Sequence, residues 1–443
     1  MVLANNLNHN SDNTLDSTKK NKRRRRRKKF PEGVFQTDIL DNNNNLNLSH
    51  EGRGMAKLNG KTHFISNALP NERVNFEYTS NRSKFAEGIA TEILQNQHPL
   101  RVTPKCPVFN ICGGCSMQHI SSAGQVDFKQ NLLLDLLKHN NATPQNILDP
   151  ITSSPWGYRH KARLGVKYVT KKGGALVGFR ETNGRYIVNM DHCPVLSPEI
   201  GESIDFLKQA ISQLDAKFYI PQIEVAITDA QTALIFRHLE PLTPEDQTKL
   251  FQLAEAGEAQ THTKNKWLIY LQPKGPDSIT LLNQNNNINN NSELLQYTIP
   301  DFNLNMHFHP SDFTQVNPEI NNKMLAQALK LLEIKSTDVI LDLFSGIGNF
   351  TLPIAKFAKC AIGVEGSEIL TSRAKHNAKL NNLDNTEFMA ADLFKPAEIL
   401  PVINQKYPNI TKLCIDPPRD GAIEIIQNIE KLNPEKILPE KIL

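Results

Sequence analysis

The chain has 443 residues and a net charge of +4, and hydrophobic residues make up 39% of it. That length suits about three domains, and the hydrophobic fraction is enough for ordinary cores, which excludes a largely disordered chain. No stretch approaches the roughly 20 apolar residues of a membrane span, and no apolar segment follows the N-terminal charges, which excludes a secretory signal. We therefore expect a cytoplasmic protein with no membrane partner.

The first 30 residues are strongly basic. Residues 19–29 read KKNKRRRRRKK, ten cations in eleven positions, between stretches rich in Asn, Ser and Asp. Like charges at that density repel one another and cannot bury a core, so residues 1–30 are predicted to be a disordered basic tail. Two interpretations stay open: a solvated tail, or an arm that binds RNA phosphates and adds affinity without reading sequence.

Residues 31–98 follow a β pattern. The short apolar runs THFISNAL, RVNFEYTS and KFAEGIATEIL are separated by turn residues and glycines. So many short strands in so short a stretch predict a small β-barrel.

Four of the six cysteines form a cluster of three and a distant fourth: Cys106, Cys112, Cys115 and Cys193. In a reducing compartment, thiols clustered in this way bind metal more often than they form disulfides. Gly113 and Gly114 allow the backbone to fold sharply there. Four thiolates suit either a tetrahedral zinc or a [4Fe–4S] cluster, and the three-plus-one spacing favours the cluster. Cys360 and Cys414 have apolar neighbours and are predicted to be core residues.

The segment from 99 to 300 is predicted to be a β-rich central domain. An amphipathic helix is predicted over 125–138 from the spacing of its apolar residues. The apolar runs that follow predict strands: RLGVKYV, ALVGFR, RYIVNM, IEVAITDA, TALIFRHL and WLIYLQP. Residues 283–292 (NQNNNINNNS) are of low complexity and predict an exposed loop.

From residue 301, short apolar strands alternate with helices, which predicts a doubly wound parallel sheet with its ligand beyond the carboxyl ends of the strands. In LDLFSGIGNF, Asp342 ends a strand, and Gly346 and Gly348 form a turn that opens a helix. The next strand ends at Glu365, whose carboxylate can accept the hydroxyls of a ribose.

The nucleotide that fits this turn is S-adenosylmethionine rather than a dinucleotide. NAD favours the longer GxGxxG pattern, and position 351 is Thr. S-adenosylmethionine has no pyrophosphate to bind, so the shorter turn suits it better. Asp392 follows the third strand, where an adenine would be read.

The fourth strand ends in Asp416-Pro417-Pro418-Arg419. Two prolines make a rigid strand terminus at the mouth of the predicted site. In amino-group methyltransferases a similar motif has an aromatic residue in the fourth place, so Arg419 argues against methylation of an exocyclic amine. A rigid turn without a catalytic role is the alternative.

These motifs resemble one family when they are taken together and in order. CPVFNICGGCSMQH, DHCPVL, FTQVNPEIN, LDLFSGIGNF, GVEGS, AADLF and IDPPRDGA are similar to the 23S ribosomal RNA uracil-C5 methyltransferases, from about residue 33 to 438. The resemblance implies a TRAM-type RNA-binding barrel over 31–98, an iron–sulfur domain over 99–300 and a Rossmann-like methyltransferase domain over 301–443. It also implies 23S ribosomal RNA as the partner of a monomer, with no protein partner.

The resemblance also assigns residues. The four clustered cysteines, Cys106, Cys112, Cys115 and Cys193, would hold a [4Fe–4S] cluster. The residues implied to line the S-adenosylmethionine pocket are Gln315, Phe344, Asn349, Glu365 and Asp392, with Asp416 at the substrate side. Among the three related enzymes, the tRNA enzyme lacks the cysteines and the other bacterial 23S enzyme lacks the barrel. This chain is predicted to have both the cysteines and the barrel, which favours the remaining 23S enzyme.

The end of the chain departs from the family pattern. The family uses a cysteine thiolate that adds to C6 of uracil, and a carboxylate base that removes the C5 proton. A YVSCNP-like strand is expected from residue 439, whereas the last ten residues read PEKILPEKIL. We therefore expect a truncated methyltransferase domain whose nucleophile and Glu base lie beyond the chain end. A catalytically dead RNA-binding relative and a tRNA uracil-C5 methyltransferase are the competing interpretations.

Overall fold

The computed structural model describes residues 31–40, 48–182, 184–260, 265–282, 294–419, 421–432 and 434–439. The predicted basic tail and the predicted Asn-rich loop at 283–292 lie outside these residues. Within the described ranges, no helix is long and apolar enough to cross a membrane.

The N-terminal strands form a curled five-stranded sheet in the order β1-β4-β5-β3-β2. The strands are Phe35–Asp38 (β1), Gly54–Leu58 (β2), Lys61–Ser66 (β3), Arg73–Asn81 (β4) and Phe85–Gln95 (β5). The Leu40 N–H, just past β1, donates to the Met55 carbonyl of β2 at 2.7 Å, which brings the two edges together. Alternate apolar side chains such as Ile65 and Phe76 fill the interior. The sheet is therefore a partly closed barrel, and the strands predicted from the three apolar runs are confirmed.

A second, smaller core joins this barrel to the cysteine segment. Leu48 and Leu69 of the barrel region pack with Ile120 and with Phe128 of helix α1, Ser122–His139. The helix predicted at 125–138 is confirmed, and it begins earlier because the Ser121 hydroxyl accepts the Gly124 N–H as its N-cap.

The central domain is built on a six-stranded sheet in the order β11-β10-β9-β8-β6-β7. Its strands are Lys161–Val169 (β6), Gly174–Gly178 (β7), Gln222–Ile227 (β8), Gln231–Arg237 (β9), Lys266–Gln272 (β10) and Thr280–Leu281 (β11). The helices are Pro198–Gly201 (α2), Ile204–Ser212 (α3) and Pro244–Gln260 (α4). In β9, Leu234 and Phe236 face the core that contains α3 and α4, whereas Ala233 and Ile235 face the core shared with the C-terminal domain. Both faces are thus buried, which explains the continuous apolar runs.

One predicted strand is wrong. The run RYIVNM at 185–190 forms a single bridge, between Ile187 and Arg180, rather than a strand. The segment at 180–182 faces this run on one side and the cysteine loop on the other. On that second side, the Gly113 N–H donates to the Arg180 carbonyl, and the Thr182 N–H donates to the Ile111 carbonyl. The chain between β7 and α2 is therefore shaped by the cysteine loop and not by the main sheet.

The C-terminal part begins with a hairpin, Leu295–Ile299 (β12) and Leu304–Phe308 (β13), which straddles the predicted boundary at residue 300. A parallel sheet follows in the order β16-β15-β14-β17-β18. Its strands are Val339–Leu343 (β14), Cys360–Glu365 (β15), Thr386–Ala390 (β16), Lys412–Ile415 (β17) and Lys436–Pro439 (β18). The helices are Pro318–Leu332 (α5), Thr351–Ala355 (α6), Glu368–Leu380 (α7), Pro396–Lys406 (α8) and Ile423–Ile426 (α9). The predicted parallel sheet is confirmed, and the predicted domain limits stay predictions.

Candidate cofactor site and cysteine cavity

The turn after β14 has an unusual backbone. Phe344 has φ +64°, a left-handed conformation that is disfavoured for a bulky residue, and Gly346 and Gly348 have φ +55° and +93°. A Cβ on Gly348 would overlap Leu352 Cδ1, so a larger residue does not fit. Backbone strain of this kind persists where the surrounding structure imposes it. Residues 344–349, the glycine turn, are thus fixed in shape at the carboxyl edge of the sheet.

Glu365 is held against this turn from the end of the neighbouring strand β15. Its Oε2 accepts the Gly346 N–H at 3.0 Å, and its Oε1 accepts the Ser367 N–H at 3.0 Å. A carboxylate has about four acceptor positions, so it keeps capacity for further donors. The side chain is therefore oriented by the protein itself and can still accept the hydroxyls of a ribose.

Asn349 closes the turn on its other side. Its amide exchanges two hydrogen bonds with that of Asn321 in α5, at 2.9 and 3.1 Å, and the Tyr297 hydroxyl of β12 lies 3.4 Å from Asn349 Oδ1. Burial raises the pKa of Tyr297. Asn321 could not be predicted as a site residue from the sequence, because only its burial distinguishes it from the other polar residues of α5.

A buried carboxyl group lies under the turn. Asp342 is 1% exposed; its Oδ2 accepts the Thr351 hydroxyl at 2.5 Å, and its Oδ1 has no hydrogen-bond partner within the described ranges. The pKa of Asp342 is raised to about 7. Burial is the main cause, the charges of Asp416 and Glu365 act in the same direction, and the Thr351 hydrogen bond opposes them. The Asp342, Asp416 and Glu365 carboxyl groups thus lie close enough at this edge of the sheet to interact electrostatically.

The remaining predicted residues lie around the same edge. Asp392 follows β16 and is exposed, and its Oδ1 accepts the Phe394 N–H at 3.0 Å. The Phe394 ring stands 6.1 Å from that of Phe344 in a T-shaped arrangement. Asp416 follows β17, and its N–H donates to Leu343 O at 3.3 Å.

Gln315 lies on a separate segment. It is half-buried in the loop at 309–317, between β13 and α5. The Asn317 side chain caps α5 by accepting the Ile320 N–H, and α5 is in turn bonded to the glycine turn through Asn321. The structure therefore gathers Phe344, Asn349, Glu365, Asp392 and Asp416 at the ends of adjacent strands, and places Gln315 on a loop whose helix contacts them.

The two cysteines outside the cluster do not reach this edge. Cys414 is fully buried within β17, as predicted for a core residue. Cys360 is half-buried and begins β15, which places it at the amino edge of the sheet, opposite the glycine turn. Cys414 pairs in register with Asp342, but it is fully buried and so is not exposed to the predicted pocket.

The four clustered cysteines line one cavity of about 310 Å³ in the central domain. Cys106, Cys112 and Cys115 lie on the loop between β5 and α1, and Cys193 lies on the loop between β7 and α2. The Cys106 N–H donates to Gln118 Oε1 at 3.1 Å, and the Gly114 N–H donates to Cys112 Sγ at 3.4 Å. Two distant loops thus bring all four thiols to one cavity.

Burial disfavours the thiolate form of three of these cysteines. Burial raises the pKa of Cys112 to about 11, and it also raises the pKa of Cys106 and Cys115. Among the residues that the structure describes, no group of three or more His, Cys, Asp or Glu side chains is arranged to hold a metal ion. The four thiols therefore share one space.

The chain is similar to known RNA methyltransferases. The family model described as tRNA (Uracil-5-)-methyltransferase matches residues 278–434. A Legionella pneumophila (strain Lens) protein named 23S rRNA (uracil(1939)-C(5))-methyltransferase RlmD is 44% identical over 395 residues, covering 89% of this chain and 85% of the relative. A protein of the same name from Francisella tularensis subsp. novicida (strain U112) is 46% identical over 413 residues, covering 93% of this chain and 88% of the relative.

A solved structure shares the architecture. The tRNA (uracil-54, C5)-methyltransferase of Pyrococcus abyssi, in complex with S-adenosyl-L-homocysteine, aligns with a TM-score of 0.63. The alignment covers 91% of this chain and 89% of that one at 20% sequence identity. At that identity the likeness establishes the fold alone.

Proposed function

The chain belongs to the RlmD family of RNA uracil-C5 methyltransferases, and we propose that it transfers a methyl group from S-adenosylmethionine to C5 of a uridine in 23S ribosomal RNA. The name of its relatives specifies uracil 1939 of that RNA. The observation that carries the proposal is the glycine turn with Glu365 bonded to it at the carboxyl edge of the sheet.

The residues at that edge suit the methyl donor. S-adenosylmethionine supplies an electrophilic methyl group on a cationic sulfonium. The Glu365 carboxylate is oriented to accept ribose hydroxyls, and Asp392 is exposed where the adenine would lie. Phe344, Asn349 and Gln315 would line the rest of the pocket. The carboxylates of Glu365 and Asp416 at this edge favour a cationic ligand over an anionic one.

The substrate side is assigned to the end of β17. Asp416 is anchored there by its backbone and is followed by two prolines, which hold the strand terminus rigid. Cys414 lies two residues before Asp416 but is fully buried, and Cys360 begins β15 at the opposite edge of the sheet, so neither is proposed as the thiolate that adds to C6 of uracil.

RNA binding is assigned to the N-terminal sheet. A small barrel of OB-like strand order is a common single-strand RNA-binding architecture, and the family resemblance implies a TRAM domain over 31–98. The basic run at 19–29 would add phosphate contacts that do not depend on sequence.

The four clustered cysteines are assigned to a [4Fe–4S] cluster. Supporting this, all four thiols line one cavity of about 310 Å³, a space that can accommodate a multi-atom cluster. Because burial keeps the thiols neutral, metal binding must release their protons.

The function is tested with the full chain and tritiated S-adenosylmethionine. The substrates are a 23S ribosomal RNA fragment containing the uridine, the same fragment carrying 5-methyluridine there, and a tRNA. The 443-residue chain alone should transfer no label, because neither Cys360 nor Cys414 is proposed as the thiolate that adds to C6. Extended with the family's YVSCNP-like segment, it should label the first RNA alone, and the label should be recovered as 5-methyluridine. Transfer to the tRNA alone would support the tRNA enzyme, and RNA binding with no transfer to either RNA would support a non-catalytic relative.

A further inference from the structure

Helix α7 carries three polar residues spaced one turn apart: Arg373, Asn377 and Asn381. Residues four apart lie on one face of a helix. All three point to the chain that runs through β13 into the 309–317 loop, and that loop carries Gln315. None of the three was singled out in the sequence, although their i, i+4, i+8 spacing is visible there.

The two asparagines bond β13 as a neighbouring strand would. The Asn305 N–H donates to Asn381 Oδ1 at 2.8 Å, and Asn381 Nδ2 donates to the Asn305 carbonyl at 2.7 Å. One turn away, the His307 N–H donates to Asn377 Oδ1 at 2.9 Å, and Asn377 Nδ2 donates to the His307 carbonyl at 3.0 Å. Since β12 pairs with one side of β13, the two asparagine side chains provide hydrogen-bond partners for backbone groups on the other side of β13.

Asn377 also reaches the cofactor site. It is fully buried, and its Nδ2 donates to the carbonyl of Ile347, inside the glycine turn, at 3.2 Å. One side chain therefore holds both the glycine turn and the strand that leads into the 309–317 loop.

Asp312 extends this contact into the loop itself. It is 7% exposed, and its Oδ2 accepts the His309 N–H at 2.7 Å and the Arg373 Nε–H at 3.1 Å. The Lys161 ammonium, from β6 of the central sheet, donates to the Asp312 carbonyl. Burial lowers the pKa of Lys161 to about 8, against the attraction of Asp312. The loop is thus anchored to both domains at one residue.

We propose that Asp312 is a positioning residue that couples the glycine turn to the Gln315 loop through Arg373 and Asn377. This rests on the proposed function, since it takes S-adenosylmethionine as the ligand of the turn. A ligand that protects the amides of the turn from exchange should then also protect residues 309–317, because α7 is bonded to both segments.

The test measures amide hydrogen exchange in the full chain with and without S-adenosylhomocysteine. In the unaltered protein we expect the ligand to slow exchange in both 345–349 and 309–317. In Asp312→Asn the slowing in 345–349 should persist, whereas exchange in 309–317 of the bound protein should be about ten-fold faster, the size of one lost charge-assisted hydrogen bond.

Two further variants separate coupling from general destabilisation. Arg373→Met should reproduce the Asp312→Asn pattern, and Arg373→Lys, which keeps the charge, should restore most of the protection. The matched control is Glu245→Gln, which breaks an exposed ion pair with Lys249 on α4 and should change neither segment.

The outcomes distinguish the two proposals. Protection of 309–317 that is unchanged in both Asp312→Asn and Arg373→Met would overturn the coupling and leave the function intact. An Arg373→Lys variant as defective as Arg373→Met would also overturn it. Absence of ligand protection at 345–349 in the unaltered protein would overturn the proposed cofactor site, and the coupling with it.

Discussion

The glycine turn and the cysteine cavity are both loops with paired or near-paired glycines, but they are prepared for their ligands in opposite ways. At the turn, Phe344 holds a strained backbone angle, Gly348 has a positive φ that suits glycine, and Glu365 is already fixed by two backbone N–H groups. In the cavity, thiols such as that of Cys112 are neutral because they are buried, and they surround a space. The turn is therefore shaped before its ligand binds, whereas the cavity needs its ligand to become a charged, bonded site.

The difference has a physical origin. A small molecule held by hydrogen bonds gains affinity when the protein has already ordered the groups that contact it. A metal centre forms strong bonds to deprotonated thiolates, so its own binding energy can order the loops and expel the protons. Removing one group from the turn should consequently weaken binding, whereas removing one thiol should abolish it.

The largest effect is expected from Cys115→Ser. Anaerobically purified protein should contain about four irons per chain, and the variant close to none. Its free energy of unfolding should also fall, because metal binding contributes folding energy. The matched variant Cys360→Ser, in the C-terminal sheet, should keep its iron. Iron analysis and urea unfolding provide the measurements, and a colourless protein holding one zinc would contradict the assignment.

A smaller, graded loss is expected from Glu365→Gln. The amide would set an N–H against the N–H of either Gly346 or Ser367 and would lose charge-assisted bonds to a ribose. Binding of S-adenosylhomocysteine should weaken about ten- to a hundred-fold. Calorimetric titration checks this, with the exposed Glu368→Gln as control. Equal affinity of the Glu365 and Glu368 variants would remove Glu365 from the site.

Gly348→Ala tests the strained backbone. Alanine would have to keep a positive φ that is disfavoured for residues with a Cβ, and its methyl group would overlap the Leu352 side chain. We expect the free energy of unfolding to fall by about 2 kcal/mol or more. Gly275→Ala is the control, because Gly275 has φ −76° and nothing lies within 4 Å of the added Cβ. That change should be neutral or stabilise by about 0.4–1 kcal/mol. Urea unfolding of both variants decides; equal stabilities would mean that the turn is not rigid.

The last effect is a dependence of stability on pH. Since the folded pKa of Asp342 is about 7, above its value in the unfolded chain, the folded protein binds more protons between about pH 4 and 7. This group's contribution to stability is therefore complete at low pH and declines as pH rises through that window. Asp342→Asn stays neutral and should gain on the unaltered protein by about 1.4 kcal/mol per pH unit there.

Urea unfolding at several pH values between 4 and 8 checks the sign. The exposed Asp384→Asn provides the comparison, with no pH-dependent gain expected. A gain of the Asp342 variant that shrinks with rising pH would contradict the buried, neutral carboxyl group.

The sequence alone determined most of the local structure. The apolar periodicity located the barrel strands, helix α1 and the parallel strands, and the motif around Gly346 and Gly348 located the turn, because these patterns reflect contacts between near neighbours in the chain. The three cysteines within ten residues indicated a metal site for the same reason.

Only the tertiary structure decided how these parts meet. It brought Cys193 to the other three thiols, prevented a strand at 185–190, and bonded Asn377 to the glycine turn and β13 together. It also buried Asp342 so deeply that its pKa rises to about 7. Each of these outcomes depends on which residues, distant in the chain, share a buried space, and on the loss of water around them. The spacing of residues along the sequence shows neither which distant residues meet nor how much water they lose.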